Sequence, residues 1–260
     1  IKSEVCMPFC VIKSRTIKFF LAMLAVVILL CISFEGGACA QVWFGSSSRL
    51  VPIYRVDTEE KQVAISFDAA WGADKTQEII DILAEYNASA TFFLVGFWVD
   101  KYPEMVKAID DAGLEIGTHS NTHPDMAKLD KATIRSELET SMSKIKDITG
   151  KDITVFRPPY GSYNNTLLNV CSDLGLKAIQ WDVDSLDWKG LSAAEVTDRV
   201  MQKTQNGSII LMHNNADNVC DSLRLTLDWL TKKGYKVTSV GELIYSDNYT
   251  IDANGEQHQN

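Results

Sequence analysis

The stretch "VAISFDAAWG", residues 63–72, sets the reading of the chain. Strand-forming residues run from Val63 to Phe67, and a lone acid, Asp68, follows with two alanines, a tryptophan and a glycine behind it. β-rich runs of this kind recur: "ATFFLV" (90–95), "LEIGT" (114–118), "ITVF" (153–156), "KAIQWDV" (177–183), "SIILM" (208–212) and "YKVTSV" (235–240). Amphipathic stretches of helical period separate them. Strands that alternate with helices imply βα units and a parallel sheet, so the expected class is α/β, doubly wound or closed as a barrel.

The helices carry their own boundary signals. In "KYPEMVKAIDDAGLEIG" the apolar residues Met105, Val106 and Ile109 recur at helical spacing, and Gly113 supplies the left-handed stop. The stretch "DKATIRSELETSMSKIKDITG" opens on a capping acid, Asp130, gathers Ile134, Leu138, Ile145 and Ile148 on one side and ends at Gly150. These segments are scaffold. Ligand-binding groups of parallel βα folds collect at the carboxyl ends of the strands, so the polar residues there are read first for function.

Before residue 41 the chain has a different character. Lys13, Arg15 and Lys18 precede the uncharged apolar run from Phe19 to Phe34, which falls short of the about 20 residues of a bilayer span. "ACA" at 38–40 has the small-residue pattern of a signal-peptidase site. Residues 1–40 are therefore expected to be a signal peptide or a membrane anchor. The basic flank places the chain beyond the apolar run outside the cytoplasm, either secreted or held on the outer face of the membrane. Residues 41–60, with "GSSS" at 45–48, read as a linker, 61–246 as the folded domain and 247–260 as a polar, disordered tail in which His258 has no assigned role.

The chain holds 25 basic and 34 acidic residues, net −9. Lys2, Lys13, Arg15 and Lys18 all lie in the leader, against only Glu4 and Glu35, so the remainder is more acidic still. Such a surface excludes a nucleic-acid partner. Of the six cysteines only Cys171 and Cys220 fall outside residues 1–40, too few for a disulfide framework.

Chemistry-bearing residues sit at five strand ends. Asp68 follows the first strand, His119 of "HSNTH" the third, Arg157 of "RPPYG" the fourth, Asp184 and Asp187 of "DVDSLDW" the fifth and His213 of "LMHNN" the sixth. His119 and His123 are four apart, so one helical turn would bring both imidazoles to the same side, suited to a divalent ion such as zinc. Arg157 and Tyr160 stand on a loop stiffened by two prolines, and Asp68 is the obvious carboxylate for Arg157 to pair with. His213 can act as a general acid if Asp187 orients it and supports its pKa. Trp188 could wall a sugar-binding groove. A glycosidase pair of Asp184 and Asp187 is a further reading, but it leaves the two histidines without a role.

In this order, "FDAAWG", "HSNTH", "RPPYG", "DSLDW" and "LMHNN" resemble the motifs of the polysaccharide deacetylases of carbohydrate esterase family four (CE4), over residues 62–245. The resemblance implies a distorted parallel (β/α)7-type barrel and a divalent metal, zinc, cobalt or nickel. It implies removal of N-acetyl groups from a polysaccharide substrate such as peptidoglycan or a chitin-like oligosaccharide. It makes Asp68 the base, His119 and His123 metal ligands, Arg157 the partner of Asp68 and Tyr160 an oxyanion donor through its backbone N–H. It makes Asp187 the residue that tunes the general acid His213, with Trp71, Tyr160 and Trp188 as substrate contacts. One departure stands out: the family usually has a second, metal-binding aspartate where this chain has Ala69. Asp68 would then bind the metal as well as act as base, or Asp74 would reach in, or water would fill the place. A carbohydrate-binding pseudoenzyme of the same fold is the alternative function.

Overall fold

The computed structural model describes residues 18–25 and 49–260, which belong to two units divided after Ser48. In the first unit residues 18–25 are helical and exposed. Among the described residues no helix is long and apolar enough to cross a membrane. The remainder of the apolar run, 26–34, and the cleavage signal at 38–40 lie outside the described residues.

The second unit, Arg49–Asn260, opens with a short strand, β1 (Arg55–Val56), and is built on a parallel sheet. Its members are β2 (Gln62–Ala69), β3 (Thr91–Leu94), β4 (Glu115–Thr118), β5 (Val155–Phe156), β6 (Lys177–Ala178), β7 (Val183–Asp184), β8 (Ile209–His213) and β9 (Lys236–Thr238). They lie in the order β6-β5-β4-β3-β2-β8-β7, with β9 against the first residues of β2. The helices α1 (Thr76–Glu85), α2 (Gly96–Lys101), α3 (Pro103–Asp111), α4 (Lys131–Thr149), α5 (Asn165–Asp173), α6 (Ala193–Lys203) and α7 (Val219–Lys232) fill the crossovers, and α8 (Val240–Leu243) follows β9. The architecture is the distorted parallel (β/α)7-type barrel that the motif order implied.

Strand periodicity explains how the sheet divides its faces. Along β2, Val63, Ile65, Phe67 and Ala69 join the large apolar cluster with Ile79, Ile82 and Leu83 of α1. Ala64 belongs to a second cluster, with Phe93, Val155 and Ile209. Residues two apart share a face, so Ser66 and Asp68 follow Ala64. Asp68 is thereby carried toward the mouth of the barrel, and Ala69 is packed among apolar neighbours.

The helix ends behave as the sequence signals require. The side chain of Asp130 accepts from Thr133 N, a cap worth about 1 kcal/mol. Gly150 closes α4 at φ 71°.

Three expectations need correction. First, "KAIQWDV" is not one strand. It breaks into β6, which pairs with β5, and β7, which pairs with β8, on opposite edges of the sheet. The seam between them is bridged by residues expected to be linker: Ile53 pairs with Ile179, Arg55 pairs with Ser208, and Ile53 and Val56 are buried. Val56 N donates to Gly207 O, and a Cβ on Gly207 would stand 1.8 Å from Val56 O. Only glycine lets the two backbones approach this closely. Residues 49–60 thus belong to the barrel.

Second, the polar tail is ordered. It forms an antiparallel hairpin of β10 (Tyr249–Ile251) and β11 (Glu256–Gln259), and β1 pairs with β11. Gln257 is buried there and exchanges two hydrogen bonds with the Tyr245 backbone. A composition-based reading misses this because the hairpin is held by polar side chains and backbone pairing. Third, His119 and His123 do not share a helical turn; they stand on a loop.

Candidate active site

A cavity of about 540 Å³ opens at the carboxyl ends of the strands. Asp68, His119, His123, Tyr160 and His213 line it. Parallel register does much of the assembly, because Asp68 is the Cα partner of His213 across β2 and β8.

Asp68 and Arg157 form the buried charge pair expected of them. Arg157 Nη1 donates to Asp68 Oδ1 at 2.9 Å, and Arg157 has no exposed surface. Arg157 Nη2 donates to Gln180 O at 3.1 Å, and the guanidinium lies 4.2 Å from the Phe93 ring centroid. Burial alone would raise the Asp68 pKa, but the charges of His119, Arg157 and His213 and the Arg157 hydrogen bond hold it below its ordinary value. His119 is itself pushed below its usual pKa, by burial first. A neutral His119 leaves Arg157 as the lasting cation beside Asp68, which keeps that carboxylate ionised.

The histidine loop is fixed by backbone and by α4. Ser120 and His123 are left-handed, with φ 71° and 58°, and His123 N donates to Ser120 Oγ. Glu137 accepts from Asn121 N, Thr122 N and Thr122 Oγ1. His119 donates Nδ1–H to Arg157 O at 2.7 Å, which leaves its Nε2 lone pair free, 3.5 Å from Asp68 Oδ2. The His123 ring is centred 4.9 Å from that of His119, and its Nδ1 is buried without a partner. Its pKa is lowered to about 4, by burial and then by His119. Two neutral imidazoles, one with an orphaned buried nitrogen, and an ionised carboxylate are donor types that a divalent cation takes, and holding one would require them to draw together, because their ligand atoms do not all lie within 4.8 Å of one another. Asp68 commits one oxygen to Arg157 and turns the other toward His119, so it is the carboxylate in place to serve such an ion.

Two other acid groups do not supply the missing ligand. Asp74 is exposed and does not line the cavity. Among the described residues, the trio of His, Cys, Asp or Glu whose ligand atoms gather within 4.8 Å is Asp252, Glu256 and His258, on the terminal hairpin. There Arg55 pairs with Glu256, His258 Nδ1 is bonded to Asp57, and Asp252 accepts backbone N–H groups from Asn254 and Glu256. Those contacts account for the cluster as a hairpin brace.

Across the cavity stands the second pair. His213 donates Nδ1–H to Asp187 Oδ1 and its backbone N–H to Asp187 Oδ2, both at 2.8 Å. Leu186, at φ 54°, makes the turn that brings buried Asp187 back toward β8. Burial disfavours the imidazolium, but the Asp187 hydrogen bond and charge, with Asp68 and Asp184, outweigh it and raise the His213 pKa. Both Asp187 oxygens are engaged by His213 and Asp184 accepts from Leu186 N, an arrangement unsuited to a glycosidase pair.

Trp71, Tyr160 and Trp188 all line the cavity and are 58%, 70% and 58% exposed. Tyr160 sits in the left-handed region at φ 60°, a strained conformation for a non-glycine residue and a frequent mark of a functional loop. The sequence reading missed the groups that hold this loop. Gln180 is buried, donates Nε2–H to Gly161 O at 2.8 Å and offers its backbone carbonyl to Arg157. Trp181 lines the cavity beside Arg157. Both lie in the seam, where a run read as continuous strand gave no signal for a break.

Comparisons with known proteins identify relatives of this chain. The polysaccharide deacetylase family model matches residues 55–179. The Listeria monocytogenes peptidoglycan-N-acetylglucosamine deacetylase PgdA is 34% identical over 197 residues, 76% of this chain and 42% of PgdA. The uncharacterized protein YlxY of Bacillus subtilis is 33% identical over 193 residues, 74% of this chain and 60% of that protein. The chain thus spans less than two thirds of the length of both relatives. Among solved structures, a CE4 pseudoenzyme from Bacillus anthracis has a TM-score of 0.73 at 34% identity, with 81% of this chain and 73% of that one covered. A mutant of that pseudoenzyme carries restored enzymatic activity. Peptidoglycan deacetylase PdaC from Bacillus subtilis gives 0.66 at 33% identity, over 72% of this chain and 92% of that one. This chain belongs to the polysaccharide deacetylase family.

Proposed function

We propose that the protein removes N-acetyl groups from an amino-sugar polymer, peptidoglycan or a chitin-like chain, outside the cytoplasmic membrane. One observation carries the reading: an arginine-held carboxylate and a carboxylate-held imidazole face the same cavity, an arrangement that favours the ionised acid and the protonated imidazole. That is how a base and an acid coexist near neutral pH. Asp68, kept ionised by Arg157, takes the proton of the attacking water. The Tyr160 backbone N–H donates to the oxyanion as the amide carbon becomes tetrahedral. His213, charged because Asp187 supports it, delivers a proton to the departing amine. A divalent ion held by His119, His123 and Asp68 would supply Lewis-acid polarisation of the water and carbonyl.

A second reading has its own support. Ala69 offers no carboxylate where the family pattern has one, and a structural neighbour is a CE4 pseudoenzyme. A pseudoenzyme of this fold would bind the glycan without cleaving its amides. Acetate release from an N-acetylglucosamine oligomer, measured with added zinc, cobalt or nickel, separates the two. We expect wild-type acetate release that rises with added metal and is lost when the metal is chelated. An inert wild-type protein under saturating metal that still binds the oligomer would select the pseudoenzyme.

A further inference from the structure

A continuous row of rings leaves the cavity on one side. Tyr160 and His123 have centroids 4.6 Å apart, His123 and Trp71 5.2 Å, and Trp71 and Phe97 6.4 Å. The first three line the cavity; Phe97, at the start of α2, lies beyond it and is 37% exposed. Exposed aromatic surface contiguous with a site marks a place where a ligand lies.

The backbone under these outer rings is locked. Gly96 N donates to Ser120 O and Phe97 N to Asn121 O, so Phe97 is tied directly to the loop that carries His119 and His123. A Cβ on Gly96 would stand 3.0 Å from Asn121 Cα and O, so the two backbones lie close together here. On the other side, Gly72 O, next to Trp71, accepts from both Trp98 Nε1 and Asn214 Nδ2. Rings on a fixed backbone lose little freedom when a ligand stacks on them.

We infer that Phe97, with the outer part of Trp71, forms an outer sugar subsite that takes a neighbouring unit of an N-acetylated glycan outside the cavity. The inference rests on the glycan reading above and adds that this subsite makes affinity depend on chain length. Pyranose rings present an apolar C–H face, and the row continues directly from the site, so a glycan chain fits it better than an apolar peptide.

The test is isothermal titration of the full chain with N-acetylglucosamine dimer and hexamer. Wild type should bind the hexamer more tightly than the dimer. Phe97→Ala should weaken the hexamer about three- to tenfold and leave the dimer unchanged, while Phe97→Trp should retain hexamer affinity. Equal losses for both lengths, or an unchanged hexamer affinity in Phe97→Ala, would overturn the subsite alone. Failure of the wild-type protein to bind either oligomer would overturn the glycan reading and the subsite with it.

Discussion

Asp68 and Glu115 are acids on the same sheet with opposite fates. Asp68 stands near the carboxyl end of β2 beside a buried guanidinium, and its pKa is lowered. Glu115 opens β4, where Thr91 Oγ1 and Gly241 N donate to its carboxylate, and its pKa is raised, by burial above all. Both are largely withdrawn from water, so burial alone does not decide the charge. The partner does: a cation at the mouth of the barrel, and only neutral donors with Glu242 nearby at the base. At the mouth of the barrel the ionised form of Asp68 is therefore favoured, whereas at the base the neutral form of Glu115 is.

The largest effect should come from His213. Replacement by alanine removes the proposed proton donor and should lower kcat about 10²–10⁴-fold, with metal content and melting temperature nearly unchanged. Loss of metal along with the imidazole would mean that His213 is a ligand and that the mouth is organised differently. Asp187→Asn tests the same pair through pH. The protonated form of His213 exists below its raised pKa and is lost as pH rises through it. Without the Asp187 charge, burial is opposed only by Asp68 and Asp184, and the alkaline limb of kcat should move to lower pH. An unmoved limb would show that another group sets it.

Arg157→Ala breaks the pairing that distinguishes Asp68 from Glu115. It strands a buried carboxylate, and loss of one member of a buried pair costs about 3–5 kcal/mol, readable as a lowered denaturant midpoint. The His119 bond uses the Arg157 backbone carbonyl, so the loop remains attached in the variant. A folded Arg157→Ala protein should thus show the acid limb of its activity displaced upward, because Asp68 loses one of the cations and the hydrogen bond that offset its burial.

Much of this mouth is legible in the sequence because parallel strands deliver their carboxyl ends to one place. Asp68, His119, Arg157 and His213 each follow or end a β-rich run, and alternation along β2 explains why Asp68 turns to the barrel interior. What escapes notice depends on long-range pairing. No periodicity shows that residues 177–184 split around Ile53, that Gln257 is buried in the tail, or that Glu137 grips the histidine loop from α4. The spacing of His119 and His123 suggested a helix, yet two left-handed residues on a loop bring their rings together instead. Spacing identified the pair, and tertiary hydrogen bonds chose its geometry.

The smallest effect belongs to the base of the barrel and probes the comparison from its other side. Glu115 has a folded pKa raised above the ordinary 4.5, so its favourable contribution is complete below that value and is lost as pH rises through the raised one. Asp68 runs the other way: its contribution is present above 3.8 and disappears as pH falls through its lowered folded value. Glu115→Gln keeps the shape and an acceptor for Gly241 N but cannot ionise. Its melting temperature should exceed that of wild type by about 2–4 °C at pH 8, and the gap should close toward pH 4. A variant less stable than wild type at pH 8, yet equal to it at pH 4, would mean that an ionised Glu115 has a favourable partner in solution. The contrast between the two ends of the barrel would then rest on something other than the presence of a cation.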